Sequence, residues 1–166
     1  MVDIYTFLAE KNISFHRFDH PPVYTVEDVH RLTPDLPGAK TKNLFLKENK
    51  GKRHFLVVTS DHGRVDLKAL PQVLGSHPVS FGSPDRLMKC LGVEPGAVSL
   101  LALLCDTEKA VEVIIDSTLW RFDEFQFHPL VNTSTLILSK TDVERFLEAT
   151  GHRPKILNIP YPQDKS

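Results

Sequence analysis

The segment NLFLKENKGKRHFLVVT, residues 43–59, decides the fold. It contains two strand-like runs, 43–47 and 54–59, in which apolar and β-branched residues dominate. Residues 48–51, Glu-Asn-Lys-Gly, lie between the runs and are typical of a tight turn. The segment therefore predicts a β-hairpin, and the hairpin predicts a sheet that contains antiparallel pairing.

On both sides of the hairpin the predicted elements are short. Further strands are expected at 13–18, 97–105, 110–115, 125–127, 135–138 and 156–159. Helices are expected after the capping residues Asp3, Thr25, Asp66, Ser83 and Ser139, and the last two helices should end at Gly92 and Gly151. Because the helices do not alternate regularly with the strands, the pattern predicts an α+β fold with a mixed, largely antiparallel sheet.

Length and composition indicate one globular domain. The chain has 166 residues, of which 41% are hydrophobic and 25% charged. The longest apolar stretch, 97–105, is far shorter than the roughly 20 residues of a membrane span. The amino terminus lacks the basic start of a secretory signal, and the only cysteines, Cys90 and Cys105, predict no disulfide framework. We therefore expect a cytoplasmic protein.

Charge is concentrated in one segment. Residues 40–53 contain six bases and one acid, a local charge of +5, whereas the whole chain carries −1. Such a basic segment on a mildly acidic protein can bind a polyanion at one place. The alternative is that its charges are simply solvated at the exposed rim of the hairpin.

Three places in the sequence are candidates for chemistry. Lys42 alternates onto the strand face of Leu44 and Leu46, where its ammonium either points into a cleft or only protects a sheet edge. His128 ends a strand, because Pro129 stops regular pairing directly after it. Gly96 belongs to a glycine-containing loop, 92–98, whose N–H groups either cradle an anion or serve an ordinary turn.

Other familiar kinds of site are missing from the sequence. There is no Gly-x-Ser-x-Gly elbow, no phosphate-binding glycine loop after a strand, and no histidine pair at metal-ligand spacing. The sequence therefore predicts neither a metal nor another cofactor.

Taken together and in this order, four segments of the chain resemble the YbaK/ProX family of aminoacyl-tRNA deacylases. They are residues 19–23 (DHPPV), 38–47 (GAKTKNLFLK), 92–98 (GVEPGAV) and 127–130 (FHPL). The resemblance implies a curved, barrel-like mixed sheet flanked by short helices, forming one editing domain over residues 1–159, and we expect 160–166 to be a loose tail. It also implies that the essential lysine of the family is Lys42, and that Asn43, Gly96 and His128 bind substrate.

The resemblance further implies a trans-editing hydrolase that deacylates mischarged tRNA(Pro), with Ala-tRNA(Pro) as the expected substrate. The alternatives are a Cys-tRNA(Pro) deacylase of the same fold, a catalytically silent module that binds tRNA or prolyl-tRNA synthetase, and an unrelated DNA- or nucleotide-binding protein. No binding to DNA or membranes is expected. The candidate contacts to tRNA are the basic residues beside Lys42, namely Lys40, Lys47, Lys50, Lys52 and Arg53.

Overall fold

The computed structural model describes residues 3–22, 25, 27–28, 31, 36–61 and 64–162. The hairpin at 43–59 is present and is longer than predicted. Strand β2, Ala39–Glu48, pairs antiparallel with β3, His54–Ser60, from Thr41 opposite Ser60 to Lys47 opposite His54. The predicted turn joins the two strands.

Eight strands of the described residues form one sheet. The other six are β1 (His16–Asp19), β4 (Val79–Phe81), β5 (Val111–Asp116), β6 (Glu124–Phe127), β7 (Ser134–Ser139) and β8 (Lys155–Leu157). Their order is β1-β7-β6-β2-β3-β5-β8, and β4 pairs with β2. The pairs β2–β6, β3–β5 and β5–β8 are parallel. The α+β class and the mixed sheet are thus confirmed, although antiparallel pairing is less dominant than predicted.

The α-helices whose bounds are described flank the sheet: α1 (Ile4–Glu10), α2 (Leu70–Leu74), α3 (Pro84–Leu91) and α4 (Lys140–Thr150). The caps predicted at Asp3, Ser83 and Ser139 are confirmed, since each side chain accepts a hydrogen bond from the first turn of its helix. Thr25 accepts a hydrogen bond from the N–H of Asp28. Most of the helix predicted after Thr25 lies outside the described residues.

Three predicted elements were wrong or misplaced. Leu100–Cys105 is a 3₁₀ helix, because Ser99 caps it and an apolar run of this kind does not distinguish a buried strand from a buried turn of helix. Asp66 caps a turn at 67–69, and α2 begins only at Leu70, with Pro71 in its first turn. The strand predicted at 13–18 is shifted to His16–Asp19 and is exposed.

The sheet carries an apolar cluster on each face around β2 and β3. One cluster contains Phe45, Leu56 and Val58, together with residues of α1, α3, α4 and the 3₁₀ helix. The other contains Leu44 and Val57 and is covered by α2 and the chain near Ile159. Strand alternation therefore sends neighbouring residues of β2 into two different environments.

The end of the described chain is bonded to the body of the fold. The carbonyl of Pro160 accepts a hydrogen bond from the N–H of Asp66, and the Tyr161 hydroxyl donates to Asp116. The chain is thus anchored as far as Tyr161, and residues 163–166 of the expected loose tail lie outside the described part.

Candidate active site

A small cavity of about 30 Å³ lies where β6 runs beside the start of β2. It is large enough for one or two water molecules. Its walls are a lysine, an amide pair, two threonines, a phenylalanine and a histidine: Lys40, Thr41, Asn43, Gln126, Phe127, His128 and Thr135. No carboxylate is among these lining residues, so the cavity is polar without being acidic.

The start of β2 is held in place by Gln126. Its side-chain Nε2 lies 3.1–3.2 Å from the carbonyl oxygens of Leu36, Pro37 and Gly38. Gly38 has a φ of +88°, and a Cβ there would lie 3.3 Å from the backbone of Glu124, so the tight approach to β6 favours glycine. The cavity wall is therefore anchored before β2 begins.

Asn43 joins β2 to the segment that contains Gly96. Its Nδ2 donates to the Thr41 hydroxyl at 3.2 Å, and its Oδ1 accepts from the N–H of Leu100 at 2.9 Å. The Thr41 hydroxyl in turn donates to the carbonyl of Gln126 at 2.6 Å. Asn43 thus ties together three parts of the chain, and its second Nδ2 hydrogen has no partner within the described residues.

His128 presents a nitrogen lone pair. Its Nδ1 lies 3.1 Å from the carbonyl oxygen of Ser134. A carbonyl only accepts, so Nδ1 carries the proton and Nε2 is the acceptor of the neutral ring. Burial lowers the pKa of His128 below its ordinary value, and the nearby His20 acts in the same direction against the Ser134 bond. The ring is therefore neutral at pH 7.

His20 is a site residue that the sequence analysis missed. Its ring meets that of His128 edge-on, with 6.3 Å between centroids. Nδ1 donates to the carbonyl of Pro21 at 2.8 Å, and Nε2 is hydrogen-bonded to the Thr135 hydroxyl at 2.8 Å. The segment 19–23 carried part of the family resemblance, and that was the signal that could have pointed to His20.

Lys42 lies on the opposite face of β2 from Asn43. Its cross-strand partner is Thr59, and it is not among the residues that line the cavity. It is partly buried, and its ammonium has no hydrogen bond or ion pair within the described part of the chain. The structure therefore separates Lys42 from Asn43 while leaving its charge available.

Gly96 lines a second, more open hollow of about 440 Å³. The opposite wall of this hollow is formed by Leu130 and Val131, which follow His128 in the chain. Of the four residues expected to form the site, the structure thus brings Asn43 and His128 to one cavity. Gly96 lies in an adjoining loop that Asn43 anchors through Leu100.

The five basic residues that are candidates for tRNA contact differ in their surroundings. Lys47, Lys50 and Lys52 have no acidic partner among the residues described. Arg53 instead donates to both carboxylate oxygens of Glu112, at 2.7 and 2.8 Å, and to the carbonyl of Gly75. Its guanidinium therefore holds β3 to β5, while Lys40 lines the cavity.

Neither a metal cluster nor a membrane-spanning helix is found among the described residues. No group of three or more histidine, cysteine, aspartate or glutamate side chains among them is arranged to hold a metal ion. None of the helices described is long and apolar enough to cross a membrane.

The comparisons with solved structures agree with the observed fold. A crystal structure of a hypothetical protein superposes with a TM-score of 0.72, at 17% identity over 94% of this chain and 99% of that one. A crystal structure described as a candidate trans-editing enzyme for prolyl tRNA synthetase superposes with a TM-score of 0.69, at 16% identity over 94% of each chain. Both neighbours therefore have the same single α+β fold.

The sequence comparisons identify the family. A family model described as "Aminoacyl-tRNA editing domain" matches residues 20–146. The "Prolyl-tRNA editing protein ProX" of Acetoanaerobium sticklandii is 37% identical over 92% of this chain and 93% of that protein. The "Prolyl-tRNA synthetase associated domain-containing protein 1" of Danio rerio is 36% identical over 92% of this chain and 84% of that protein. The predicted resemblance is thus confirmed: the chain belongs to the family of aminoacyl-tRNA editing domains, and its class of activity is that of an aminoacyl-tRNA deacylase.

Proposed function

We propose that this protein is a trans-editing hydrolase that deacylates mischarged tRNA(Pro), with Ala-tRNA(Pro) as its preferred substrate. The observation that carries the proposal is the small cavity without acidic side chains at the β2–β6 junction, in a chain 37% identical to a protein named for prolyl-tRNA editing. The neutral His128 and the amide of Asn43 both face this cavity.

The hydrolysis of an aminoacyl ester needs little chemical assistance from the protein. Water attacks the ester carbonyl, the bond to the ribose oxygen breaks, and that oxygen takes the proton which water gives up. An aminoacyl ester is already activated, and the adjacent ribose hydroxyl lies close enough to assist. Orientation of the ester and stabilisation of the developing negative charge are therefore the main tasks, and removing one stabilising contact typically costs about 10²–10³ in rate.

Each site residue then has a role that follows from its surroundings. The Nε2 lone pair of His128 accepts a hydrogen bond from the attacking water or the substrate amine. Backbone N–H groups near Gly96 meet the carbonyl oxygen. Asn43 positions that loop and offers its remaining amide hydrogen to the substrate. Lys42, whose ammonium is uncommitted among the described residues, holds the terminal phosphate or ribose.

Alanine is favoured on grounds of size. A synthetase pocket built for proline cannot exclude the smaller alanine, because the missing methylene groups discriminate by only about 1–3 kcal/mol each. A second, smaller site that admits alanine and rejects proline supplies the missing selectivity. The cavity of about 30 Å³ supports a methyl side chain better than the proline ring.

Deacylation of purified Ala-, Cys- and Pro-tRNA(Pro) tests the proposal, with Lys42→Ala as the inactive control. Rapid loss of alanine alone, at a rate that the variant abolishes, is the expected result. Faster loss of cysteine than of alanine would instead identify a Cys-tRNA(Pro) deacylase. Binding of tRNA(Pro) without hydrolysis of any ester would overturn the proposal and leave the silent binding module.

We also propose that Lys47, Lys50 and Lys52 contact the acceptor-stem phosphates, and that prolyl-tRNA synthetase is a partner. The uncommitted charges of the three lysines support the first point, and the name of the Danio rerio relative, which associates it with prolyl-tRNA synthetase, supports the second. The affinity for tRNA(Pro) should fall steeply as the salt concentration is raised. Co-sedimentation with prolyl-tRNA synthetase, with and without tRNA(Pro), tests the second point.

A further inference from the structure

Three polar residues lie side by side across the sheet on the Lys42 face. Lys42 of β2 is the cross-strand partner of Thr59 in β3. The β3–β5 register ends with Val58 beside Ile115, so the next positions, Thr59 and Asp116, are neighbours as well. Two strand spacings of about 4.8 Å separate the backbones of Lys42 and Asp116, and a lysine and an aspartate side chain together span that gap.

Lys42 and Asp116 nevertheless form no ion pair within the described residues. Asp116 is 2% exposed, and a carboxylate so deeply buried requires partners. Residues other than Lys42 supply the partners of the Asp116 carboxylate. Its Oδ1 accepts a hydrogen bond from the N–H of Thr118 at 3.2 Å, and its Oδ2 accepts one from the Tyr161 hydroxyl at 2.5 Å. The carboxylate is thus satisfied without the lysine in its row.

Tyr161 is suited to this task because its hydroxyl stays protonated. Burial raises the pKa of Tyr161 well above its ordinary value, and the adjacent Asp116 raises it further. The residue also packs against the apolar cluster on this face, with the chain anchored just before it by the bond between Pro160 and Asp66. The donor is therefore held against the carboxylate by packing as well as by its hydrogen bond.

We propose that Tyr161 is a positioning residue for Lys42. By donating a hydrogen bond to the Asp116 carboxylate, it prevents that carboxylate from forming an ion pair with the Lys42 ammonium, which the substrate needs. This inference rests on the proposed function, in which Lys42 holds the phosphate or ribose end of the substrate. Without the hydroxyl, the buried Oδ2 lacks a donor, and the lysine two strands away is a cation within reach. The pair that then forms withdraws Lys42 from the substrate.

The first test follows the ammonium itself and requires no catalysis. Lysine side-chain NMR of the full-length protein, with Lys42→Arg for assignment, gives the pH at which Lys42 titrates. In Tyr161→Phe this midpoint should rise, because a neighbouring carboxylate favours the charged lysine. In Tyr161→Phe/Asp116→Asn it should return to the wild-type value. An unchanged midpoint in all three proteins would overturn the proposal.

The second test follows activity. Tyr161→Phe should lower kcat/KM for Ala-tRNA(Pro) about tenfold or more, and adding Asp116→Asn should restore it. Asp61 lies two residues beyond Thr59 and has an interaction of its own, so the rescue is what assigns the effect to Asp116. A loss that Asp116→Asn does not restore would mean that Tyr161 only supports the fold.

A matched control is available next to Asp116. The Ser117 hydroxyl bonds to Asn158 and so joins the same strand end to the same returning segment without touching the Asp116 carboxylate. Ser117→Ala should leave both the titration of Lys42 and the activity at wild-type levels. If the wild-type protein hydrolyses no aminoacyl ester, the proposed function fails, whereas the NMR result still decides whether Tyr161 controls Lys42.

Discussion

The two faces of β2 differ in what they contribute, although the residues that represent them, Asn43 and Lys42, are adjacent in the chain. On one face, Asn43 contributes to a cavity of amides, hydroxyls, a neutral imidazole and the lysine Lys40, where each described polar contact of Asn43 fixes a position. On the other face, Lys42 carries a charge two strands from the buried Asp116 carboxylate, which accepts a hydrogen bond from Tyr161. In the proposed mechanism one face thus orients the substrate and the other supplies the charge of Lys42, so substitutions on the two faces should give distinct defects.

The largest effect is expected on the charged face. Lys42→Ala should lower kcat/KM for Ala-tRNA(Pro) by about 10³, because in the proposed mechanism the Lys42 ammonium holds the substrate end and stabilises negative charge there. Initial deacylation rates measure it, with circular dichroism to show that the variant folds. Lys42→Arg is the matched variant, and activity equal to wild type in Lys42→Ala would contradict the assignment of charge to this face.

The next effect is expected in the cavity that contains His128, and it depends on pH. His128→Gln should cost about 10² in kcat, because it replaces the basic Nε2 lone pair by an amide oxygen that accepts a hydrogen bond but takes up no proton. Since burial lowers the pKa of His128 below its ordinary value of 6.5, wild-type activity should stay level from pH 8 down to that value and fall only below it. Rates corrected for spontaneous ester hydrolysis give the profile, which should be flat in the variant.

The same group makes stability depend on pH. The pKa of His128 is lower in the folded than in the unfolded protein, so the unfolded chain binds the proton more readily. The free energy of unfolding contributed by neutral His128 is therefore fully present above about pH 6.5 and declines as the pH falls toward the lowered value. Denaturant unfolding at pH 7.5 and 5.5 should show a smaller difference in His128→Gln than in wild type; an equal difference would mean that other groups dominate.

Much of this arrangement could be predicted from local sequence. Strand alternation alone placed Lys42 and Asn43 on opposite faces, and the capping serines at 83 and 139 marked the starts of α3 and α4 correctly. The apolar run ending at Cys105 was wrongly predicted to be a strand. A stretch that is buried on all sides has no alternation of polar and apolar residues, so its sequence does not distinguish a strand from a helix.

The rest of the site depends on contacts that local patterns do not encode. The contact between Asn43 and Leu100 joins residues 57 positions apart, and the one between His20 and Thr135 spans 115 positions. The same holds for Tyr161, which lies in the segment expected to be loose and yet reaches Asp116 across 45 positions. Such pairings follow from the tertiary fold and not from propensity or period.

A moderate effect is expected where Asn43 joins β2 to Leu100. Asn43→Ala removes the acceptor for the N–H of Leu100 and the donor to Thr41, and an unsatisfied buried donor costs about 1–3 kcal/mol. The free energy of unfolding should fall by about that amount, and kcat/KM by about tenfold as the Gly96 loop loosens. Asn43→Asp is the matched variant: it keeps an acceptor for Leu100 but introduces a charge into a cavity that has no acidic residue. Equal stability of Asn43→Ala and wild type would show that the loop is held by other contacts.

The smallest effects distinguish the basic residues at the far end of β2 and β3. Arg53 and Glu112 are each about a third exposed, so their pairing should contribute no more than about 1 kcal/mol to stability, and Arg53→Gln should lower the free energy of unfolding by that much. Because its guanidinium is already bound by Glu112, the slope of log K against log salt for tRNA(Pro) binding should not change. Lys52→Gln should do the reverse, leaving stability unaltered and reducing the slope by about 0.7–0.9. The same slope change in both variants would mean that the Glu112 pairing gives way to RNA, and Arg53 would then belong with the lysines as a phosphate contact.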